Sequence, residues 1–367
     1  MAESCRLTCD VCVRTCEDLS ERCRDWVQQC EERPLFMARH CARTCNTLPS
    51  ECRPQCQIRT TRGGCPGFGV SRHLLTPDHA RAIRGALHLT NSSALPAFNP
   101  SVVDDLVFYN VNFWASRTPG FSSLINQSSV IGVDRTGIRY TIRGAEDLRL
   151  VRVNGTRLLG LFSRYRRRRQ KEMYLTSFRP RWERRIVLEK GIAPPKKTSE
   201  GNWMPFAHNG TLFASYFLCP HTIVHIDTRT AHATKMYETR HPSCASVSSP
   251  GNPLRGGTAG VEIGSRYMLG LAHYKKFGAY THALYRRSLT PPFELQNVSR
   301  KFRFPGARLQ RVNKSFLSHV QFSLSMSLRN RTFFFHYGVS DRSAHVVTLS
   351  WDGYCAFTKW CGGVDSS

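Results

Sequence analysis

The stretch Asn154-Gly155-Thr156-Arg157-Leu158-Leu159-Gly160-Leu161-Phe162 joins a two-residue turn to an apolar strand, and the chain repeats this arrangement three more times. The later turns are 55, 55 and 66 residues further along, at Asn209-Gly210, Gly264-Ser265 and Asn330-Arg331. An aromatic or aliphatic run follows each turn, as in the second strand of a hairpin. Repeats of this length, with several strands in each, are typical of β-propeller blades.

The four turns and one further unit before residue 140 give a count of five blades. We therefore predict a mainly β protein with a five-bladed β-propeller over residues 100–367. A β-sandwich is the structural alternative, but it does not predict a 55-residue repeat. Equivalent positions of different blades lie on one face around one axis, and we expect the functional site there.

Cysteines and sequons indicate an oxidising compartment. Eleven of the 15 cysteines lie between Cys5 and Cys65, a density typical of small disulfide-stapled modules. Seven of the 13 asparagines begin Asn-X-Ser/Thr, and we predict glycosylation at Asn91, Asn126, Asn154, Asn209, Asn297, Asn313 and Asn330. The expected location is secreted or the Golgi/ER lumen, with the targeting segment missing from this sequence. No run approaches the ~18 apolar residues of a membrane span.

The formal charge of +26 raises the question of nucleic-acid binding. The densest basic run, Arg164 to Lys171, is interpreted as a solvated loop between strands, with attraction to phosphates or acidic glycans as the alternative. Disulfides and sequons argue against a nuclear or ribosomal protein, and no nucleic-acid-binding motif occurs. We therefore expect no nucleic-acid partner.

The N-terminal cysteines follow a fixed order with four other residues: Cys16, Asp18, Cys23, Trp26, Cys30, Met37, Cys41, Thr44 and Cys45. This order resembles the ShKT module, the fold of sea-anemone potassium-channel toxins that is also appended to many secreted enzymes. The resemblance implies a small disulfide-rich, short-helical module over residues 13–56, after the tail of another copy at 1–12. Its disulfides would use Cys16, Cys23, Cys30, Cys41, Cys45 and Cys52.

Two departures from the ShKT pattern bear on its role. Leu48 stands where the sixth cysteine falls in the family, so Cys16 is expected to pair elsewhere, with Cys52 as the candidate. Ala38-Arg39 replaces the channel-blocking Lys-Tyr pair of the toxins. We therefore expect a module that tethers the chain or binds a protein or glycan partner.

Residues 57–99 are predicted to be a linker with one short helix. Thr76 is placed to cap a helix that begins at Pro77 and runs to about Leu87. Cys219, Cys244, Cys355 and Cys361 are interpreted as structural disulfides.

Chemically useful side chains cluster before and after the repeated turns. Gly144-Ala145-Glu146-Asp147-Leu148-Arg149 begins one strand, and Asn202-Trp203-Met204-Pro205-Phe206 begins another. The last repeat ends in Tyr337-Gly338-Val339-Ser340-Asp341. These three stretches resemble motifs of glycoside hydrolase family 130, the five-bladed β-mannoside phosphorylases, and of related mannosyltransferases, over roughly residues 100–350. Leu148 replaces the proline of the family's Glu-Asp-Pro-Arg motif.

The resemblance implies an inverting reaction at a mannoside bond, by a glycosyltransferase or a glycoside phosphorylase, with Asp147 as general acid. A phosphorylase needs a cationic pocket for phosphate, and a transferase needs one for a phosphorylated donor. The co-substrate is therefore inorganic phosphate or a sugar-phosphate donor, and no metal cofactor is expected. The predicted substrate-binding residues are Glu146, Arg149, Asn202, Trp203, His221, Thr258, His273, Tyr280, His282, Tyr337 and Asp341.

Each site residue also has a structural interpretation. In the structural interpretation, Asp147 forms an Asx turn or an ion pair with Arg149. Trp203 then packs in the hydrophobic core. Asp341 is suited to fixing the final hairpin turn. The alternative function is a non-catalytic propeller lectin or extracellular interaction protein that is tethered by its ShKT modules.

Overall fold

The structure, a computed structural model, describes residues 69, 71–86, 97–111, 128–165, 170–193, 200–242, 244, 248, 253–276, 279–305, 320–341 and 343–361. The chain divides into two compact units, Met1–Pro66 and Gly67–Ser367, and all described residues belong to the second. The predicted ShKT module and the sequons at Asn91, Asn126 and Asn313 lie outside them. No helix in the described part of the chain is long and apolar enough to cross a membrane.

Twenty-two strands and two helices are described. In chain order they are β1 (Arg72–His73), α1 (Pro77–Ala86), β2 (Ala97–Val103), β3 (Leu106–Val111), β4 (Ser129–Asp134), β5 (Gly137–Arg143), β6 (Ala145–Val153), β7 (Arg157–Tyr165), β8 (Lys171–Phe178), β9 (Arg181–Arg185), β10 (Val187–Leu188), β11 (Met204–His208), β12 (Thr211–Leu218), β13 (His221–Ile226), β14 (His232–Thr239), β15 (Arg255–Gly256), β16 (Val261–Ile263), β17 (Tyr267–Lys276), β18 (Ala279–Ser288), β19 (Leu295–Val298), β20 (Gln321–Arg329), β21 (Thr332–Val339), β22 (Ser343–Ser350) and α2 (Trp351–Thr358).

The strands form five sheets, each a blade of antiparallel strands, except that β10 pairs parallel with β14. Blade 1 is β2–β5, blade 2 is β6–β9, blade 3 is β11–β14 with β10 at its edge, blade 4 is β15–β19, and blade 5 is β20–β22 with β1 at its edge. The predicted mainly β, five-bladed propeller is therefore confirmed.

The four repeated turns occupy equivalent places. Asn154, Asn209 and Asn330 each begin the hairpin turn between the first and second strands of a blade. Gly264 begins the turn between β16 and β17, and β15 and β16 both pair with β17. All four residues have φ between 46° and 56°. The left-handed conformation favours Asn and Gly, which explains why these residues recur. The fifth turn, Asp104-Asp105 in blade 1, was not identified in the sequence because it has neither residue, although Asp104 also has φ 51°.

Blade 5 is completed by the start of the described chain. Arg72 and His73 of β1 pair with Val346 and His345 of β22, and the Leu74 amide donates to the Ala344 carbonyl at 2.9 Å. Part of the predicted 57–99 linker thus forms a strand of the propeller, and β2 also begins before residue 100. A two-residue strand is too short to show the alternation by which strands are identified in sequence.

The predicted short helix and the predicted disulfides of the propeller are present. Helix α1 spans Pro77–Ala86, and the Thr76 hydroxyl accepts the His79 amide at 3.2 Å, as the capping pattern indicated. Cys219–Cys244 and Cys355–Cys361 form disulfides. The first links the end of β12 to the segment after β14 in blade 3, and the second links α2 to the segment that follows it.

Candidate functional site

A cavity of about 780 Å³ opens at the end of the inner strands opposite the repeated turns. All five blades contribute to it, with the segments that lead into them. Its lining consists of Phe98, Asn99 and Asn110; Glu146, Asp147, Ser163, Tyr165 and Lys171; Glu200, Gly201, Asn202, Tyr216 and Phe217; Pro253, Leu254, Arg255, Gly256, His273, Lys275 and Tyr280; and Val320, Phe322 and Asp341. A concave site of this size at a propeller axis suits a small ligand.

Three residues on neighbouring inner strands share a left-handed backbone. Asn99, Asp147 and Asn202 have φ of 44°, 57° and 64°, and all three line the cavity. The register of β6 shifts between Glu146 and Arg149, so Asp147 lies in a bulge. Asn and Asp tolerate this backbone at low cost, and strained residues of this kind cluster at functional sites.

Asp147 is held by two side-chain amides. Its Oδ1 accepts hydrogen bonds from Asn99 Nδ2 at 3.1 Å and from Asn110 Nδ2 at 3.0 Å. Its backbone amide donates to Asn110 Oδ1 at 3.2 Å. The carboxylate is therefore fixed in orientation. The next residue, Leu148, is fully buried beside Phe162, so the leucine that replaces the motif's proline anchors the bulge in the core.

Arg149 lies buried beneath the cavity and connects blades. Its Nε donates to the Gly257 carbonyl at 2.6 Å, Nη1 to the Asp147 carbonyl at 3.1 Å, and Nη2 to Asn202 Oδ1 at 3.3 Å. Its guanidinium also lies 5.6 Å from the centre of the Phe322 ring. Burial lowers its pKa to about 10, against the attraction of Asp147, so Arg149 is charged at neutral pH. Arg149 therefore holds in place the residues that it contacts beneath the cavity.

Two further carboxylates of the cavity wall have fixed partners. Glu146 Oε2 forms an ion pair with Lys171 Nζ at 2.6 Å, and both side chains are mostly buried. Glu200 accepts hydrogen bonds from Trp203 Nε1 and from the Tyr216 hydroxyl, each at 3.0 Å. Lys171 and Glu200 were not assigned to the site from sequence. Glu200 lies in an irregular segment, and Lys171 ends the basic run that was interpreted as a solvated loop.

Asp341 combines the predicted turn role with a place in the cavity. Ser340 and Asp341 form the turn between β21 and β22, with φ of 52° and 51°. The carboxyl keeps much of its surface exposed, but that surface faces the concave cavity. Loss of solvation there, together with the negative charges of Asp147 and Glu146, raises the pKa of Asp341 to about 6. Asp341 is therefore an acid that retains a proton at mildly acidic pH.

His273 and two aromatic rings form one wall of the cavity. The His273 ring stacks on Tyr280 at 5.2 Å and meets the edge of Phe322 at 4.9 Å between centroids. Burial, aided by the positive charges of Arg149 and Arg255, lowers the pKa of His273 well below its usual value, so the imidazole is neutral. The exposed Lys275 ammonium lies 5.4 Å from the centre of the Tyr280 ring. This wall of the cavity therefore presents aromatic rings next to a positively charged side chain.

Besides Arg149, five predicted substrate-binding residues do not line the cavity: Trp203, His221, Thr258, His282 and Tyr337. All five are buried. Trp203 is a core residue that orients Glu200. Thr258 accepts the Leu271 amide at 3.0 Å, and Tyr337 donates to the Pro305 carbonyl at 2.9 Å. These side chains support the fold.

The two buried histidines are likewise structural. His221 Nε2 lies 3.1 Å from the Ser215 hydroxyl, and the His282 ring packs 4.7 Å from that of Phe304. Burial lowers the pKa of each to about 3, so both are neutral and cannot attract phosphate by charge. The predicted residues that do line the cavity are Glu146, Asp147, Asn202, His273, Tyr280 and Asp341.

The N-terminal region matches a family model described as ShK domain-like over residues 15–47, which confirms the predicted module. No curated protein matches the chain by sequence.

Solved structures with a similar fold include several carbohydrate enzymes. A glycosyl hydrolase from Bacteroides ovatus is 12% identical, covering 69% of this chain and 84% of the other, with a TM-score of 0.46. The β-1,2-mannobiose phosphorylase from Listeria innocua is 13% identical, covering 72% and 92%, with a TM-score of 0.48. MPT-4, a mannose phosphorylase from Leishmania mexicana in complex with phosphate, is 11% identical, covering 72% and 87%, with a TM-score of 0.48. At these identities the similarity concerns the fold.

Proposed function

We propose that this chain is a carbohydrate-active enzyme, an inverting glycoside phosphorylase or glycosyltransferase that acts on mannose-like sugars with Asp147 as general acid. The observation that carries the proposal is Asp147 itself, held by Asn99 and Asn110 in a cavity to which all five blades contribute. Proton transfer requires an acid at a fixed position within reach of one substrate oxygen. A carboxylate fixed in this way meets that requirement.

A carboxyl group that retains a proton at mildly acidic pH lies near Asp147. Loss of solvation, together with the negative charges of Asp147 and Glu146, raises the pKa of Asp341 to about 6. Asp341 is therefore proposed to supply the proton that Asp147 delivers to the substrate. A carboxyl whose pKa is raised by its surroundings is typical of sites that transfer protons to glycosidic oxygens.

The cations of the cavity support an anionic co-substrate. Lys171, Lys275 and Arg255 all line the cavity, and Arg255 and Lys275 are exposed to it. An ammonium or guanidinium group attracts phosphate oxygens. Inorganic phosphate or a sugar phosphate is therefore the proposed co-substrate, and the Tyr280 and Phe322 rings are proposed to contact the sugar.

The chain is proposed to work in the secretory pathway or outside the cell. The disulfides Cys219–Cys244 and Cys355–Cys361 are typical of oxidising compartments, and the ShK-like module is proposed to tether the enzyme to a protein or glycan.

One assay separates the enzyme from a lectin. The purified chain is incubated with β-mannosides and inorganic phosphate, and in parallel with mannose 1-phosphate or nucleotide-mannose and β-mannoside acceptors. Formation of mannose 1-phosphate indicates a phosphorylase, and elongation of the acceptor from nucleotide-mannose indicates a transferase. Glycan binding without any turnover contradicts the proposal and favours the lectin.

The pH dependence of the reaction is expected to follow the protonation of Asp341. Because the proposed reaction uses the proton that Asp341 holds, kcat/KM should fall as the pH rises through about 6. Glu146→Gln removes a negative charge near Asp341 and should move this decline to lower pH, whereas Lys171→Met removes a positive charge and should move it to higher pH. Each shift should be up to ~1 pH unit.

The matched control is Glu294→Gln, which makes the same chemical change at an exposed position outside the cavity lining. It should leave the pH profile unchanged. Shifts in the same direction for Glu146→Gln and Lys171→Met would contradict the electrostatic account.

A further inference from the structure

The face of the propeller opposite the cavity includes five hairpin turns, which we call the base: those beginning at Asp104, Asn154, Asn209, Gly264 and Asn330. In blade 2 the inner strand runs from Asp147 in the cavity to Asn154 at the turn. Seven residues of extended chain span roughly 23 Å. The inner strands of the other blades run the same way, so the base and the cavity lie at opposite ends of the propeller.

Three of these turns carry the sequence Asn-X-Thr: Asn154-Gly155-Thr156, Asn209-Gly210-Thr211 and Asn330-Arg331-Thr332. All three asparagines are exposed. Their φ values of 52°, 46° and 47° show that each begins its turn in the same left-handed conformation. The three acceptor sequences are therefore presented in equivalent positions on one face.

Turn geometry accounts for the asparagines and only weakly for the threonines. A tight hairpin turn favours Asn or Gly at its left-handed positions. The hydroxyls of Thr156 and Thr332 donate only long hydrogen bonds, of 3.4 Å each, to the carbonyls of Asn154 and Asn330. Threonine follows at each of the three Asn turns, whereas Leu106 and Arg266 stand there in the other two blades. Threonine thus accompanies asparagine at the base, which is the requirement of N-glycosylation.

We propose that the base is an N-glycosylated face, with oligosaccharides on Asn154, Asn209 and Asn330, and that this decoration leaves the cavity face open. In the reaction the Asn154 amide nitrogen attacks the anomeric carbon of an oligosaccharide carried on a lipid pyrophosphate. A carbon–nitrogen bond forms, the carbon–oxygen bond to the pyrophosphate breaks, and the amide loses one proton. Asn209 and Asn330 react in the same way.

The proposed arrangement keeps the attached N-glycans, on the base, apart from a glycan that enters the cavity. Glycans on the base are bulky and solvated, and they cover a surface that is then closed to other macromolecules. Because the cavity lies at the other end of the inner strands, these glycans do not obstruct it. A partner or acceptor glycan therefore approaches the propeller from the cavity side or from its rim.

The test is the intact mass of the full chain, secreted from animal cells behind a cleavable signal segment, before and after removal of N-glycans by an amidase. Thr156→Val, Thr211→Val and Thr332→Val each destroy a sequon without changing the left-handed asparagine. Each should remove one oligosaccharide, and the triple variant should lack three. Thr→Ser at the same positions retains the sequon and should retain the glycan.

Asparagine itself is left in place because glutamine at a positive φ would disturb the turn. A secreted chain whose mass is unchanged by the triple Thr→Val substitution would overturn the proposal. This result would not affect the proposed catalytic role of the cavity, which is measured separately by turnover.

Discussion

Replacing Asp147 by asparagine is expected to lower kcat by about 100- to 10,000-fold, the usual contribution of a positioned acid. Asparagine has the same shape, tolerates the φ of 57°, and keeps an oxygen to accept the amides of Asn99 and Asn110. The variant should therefore fold and bind sugar normally. The measurements are kcat and KM by steady-state kinetics, with the thermal unfolding midpoint as a check on folding.

The chain provides a matched control for this substitution. Asp104 is also an aspartate in the left-handed conformation, with φ of 51°, but it lies in the base turn of blade 1. Its only described charged partner is the exposed Arg152, so Asp104→Asn should leave kcat unchanged. If Asp147→Asn keeps kcat within a factor of about two of the parent, Asp147 is not the proton donor.

Replacing Arg149 by methionine is expected to lower the free energy of unfolding by about 2–4 kcal/mol, since the change leaves buried acceptors without donors. The carbonyls of Gly257 and Asp147 and the Asn202 side chain would each lose a hydrogen bond, and blades 2, 3 and 4 would lose a shared contact. Urea denaturation measures the stability change. Activity should fall too, because Asp147 and Asn202 lose their support.

Arg152→Met, on the same strand, is the control for that experiment. Arg152 is exposed and contacts only the Thr156 carbonyl and the Asp104 carboxylate among described residues, so its loss should cost less than about 1 kcal/mol. Equal stability of the Arg149 and Arg152 variants would show that the buried guanidinium does not connect the blades.

The sequence predicted the blades because the same local requirement recurs in each. A left-handed turn favours Asn or Gly. Because the strands of the blades have similar lengths, these turn residues recur at a regular spacing. Asp147 and Asn202 belong to stretches that precede two of these turns, and each lies seven residues before its turn. Asn99 was missed because its turn begins with Asp104, only five residues on, and lacks the Asn-Gly signal.

The sequence could not show which of the predicted residues face the cavity, for two physical reasons. Asn202 and Trp203 are adjacent just before β11, but the left-handed backbone at Asn202 places its side chain at the cavity, whereas Trp203 lies in the core. His273 and His282 are paired across β17 and β18, but β18 lies one strand further from the axis, so only His273 reaches the cavity.

The environment of Asp341 depends on contacts that are distant in sequence. Its raised pKa depends on Asp147 and Glu146, which are nearly 200 residues earlier and come close only when the ring of blades closes. Sequence reasoning could therefore identify the turn at Asp341 but not the acid cluster.

A crystal structure of the Asp147→Asn variant with a bound β-mannoside would show whether the sugar reaches residue 147. We expect the sugar in the axial cavity, with the bridging oxygen or an adjacent hydroxyl about 2.6–3.2 Å from the substituted side-chain amide. A sugar bound on the rim or the base, with the axial cavity empty, would contradict this expectation.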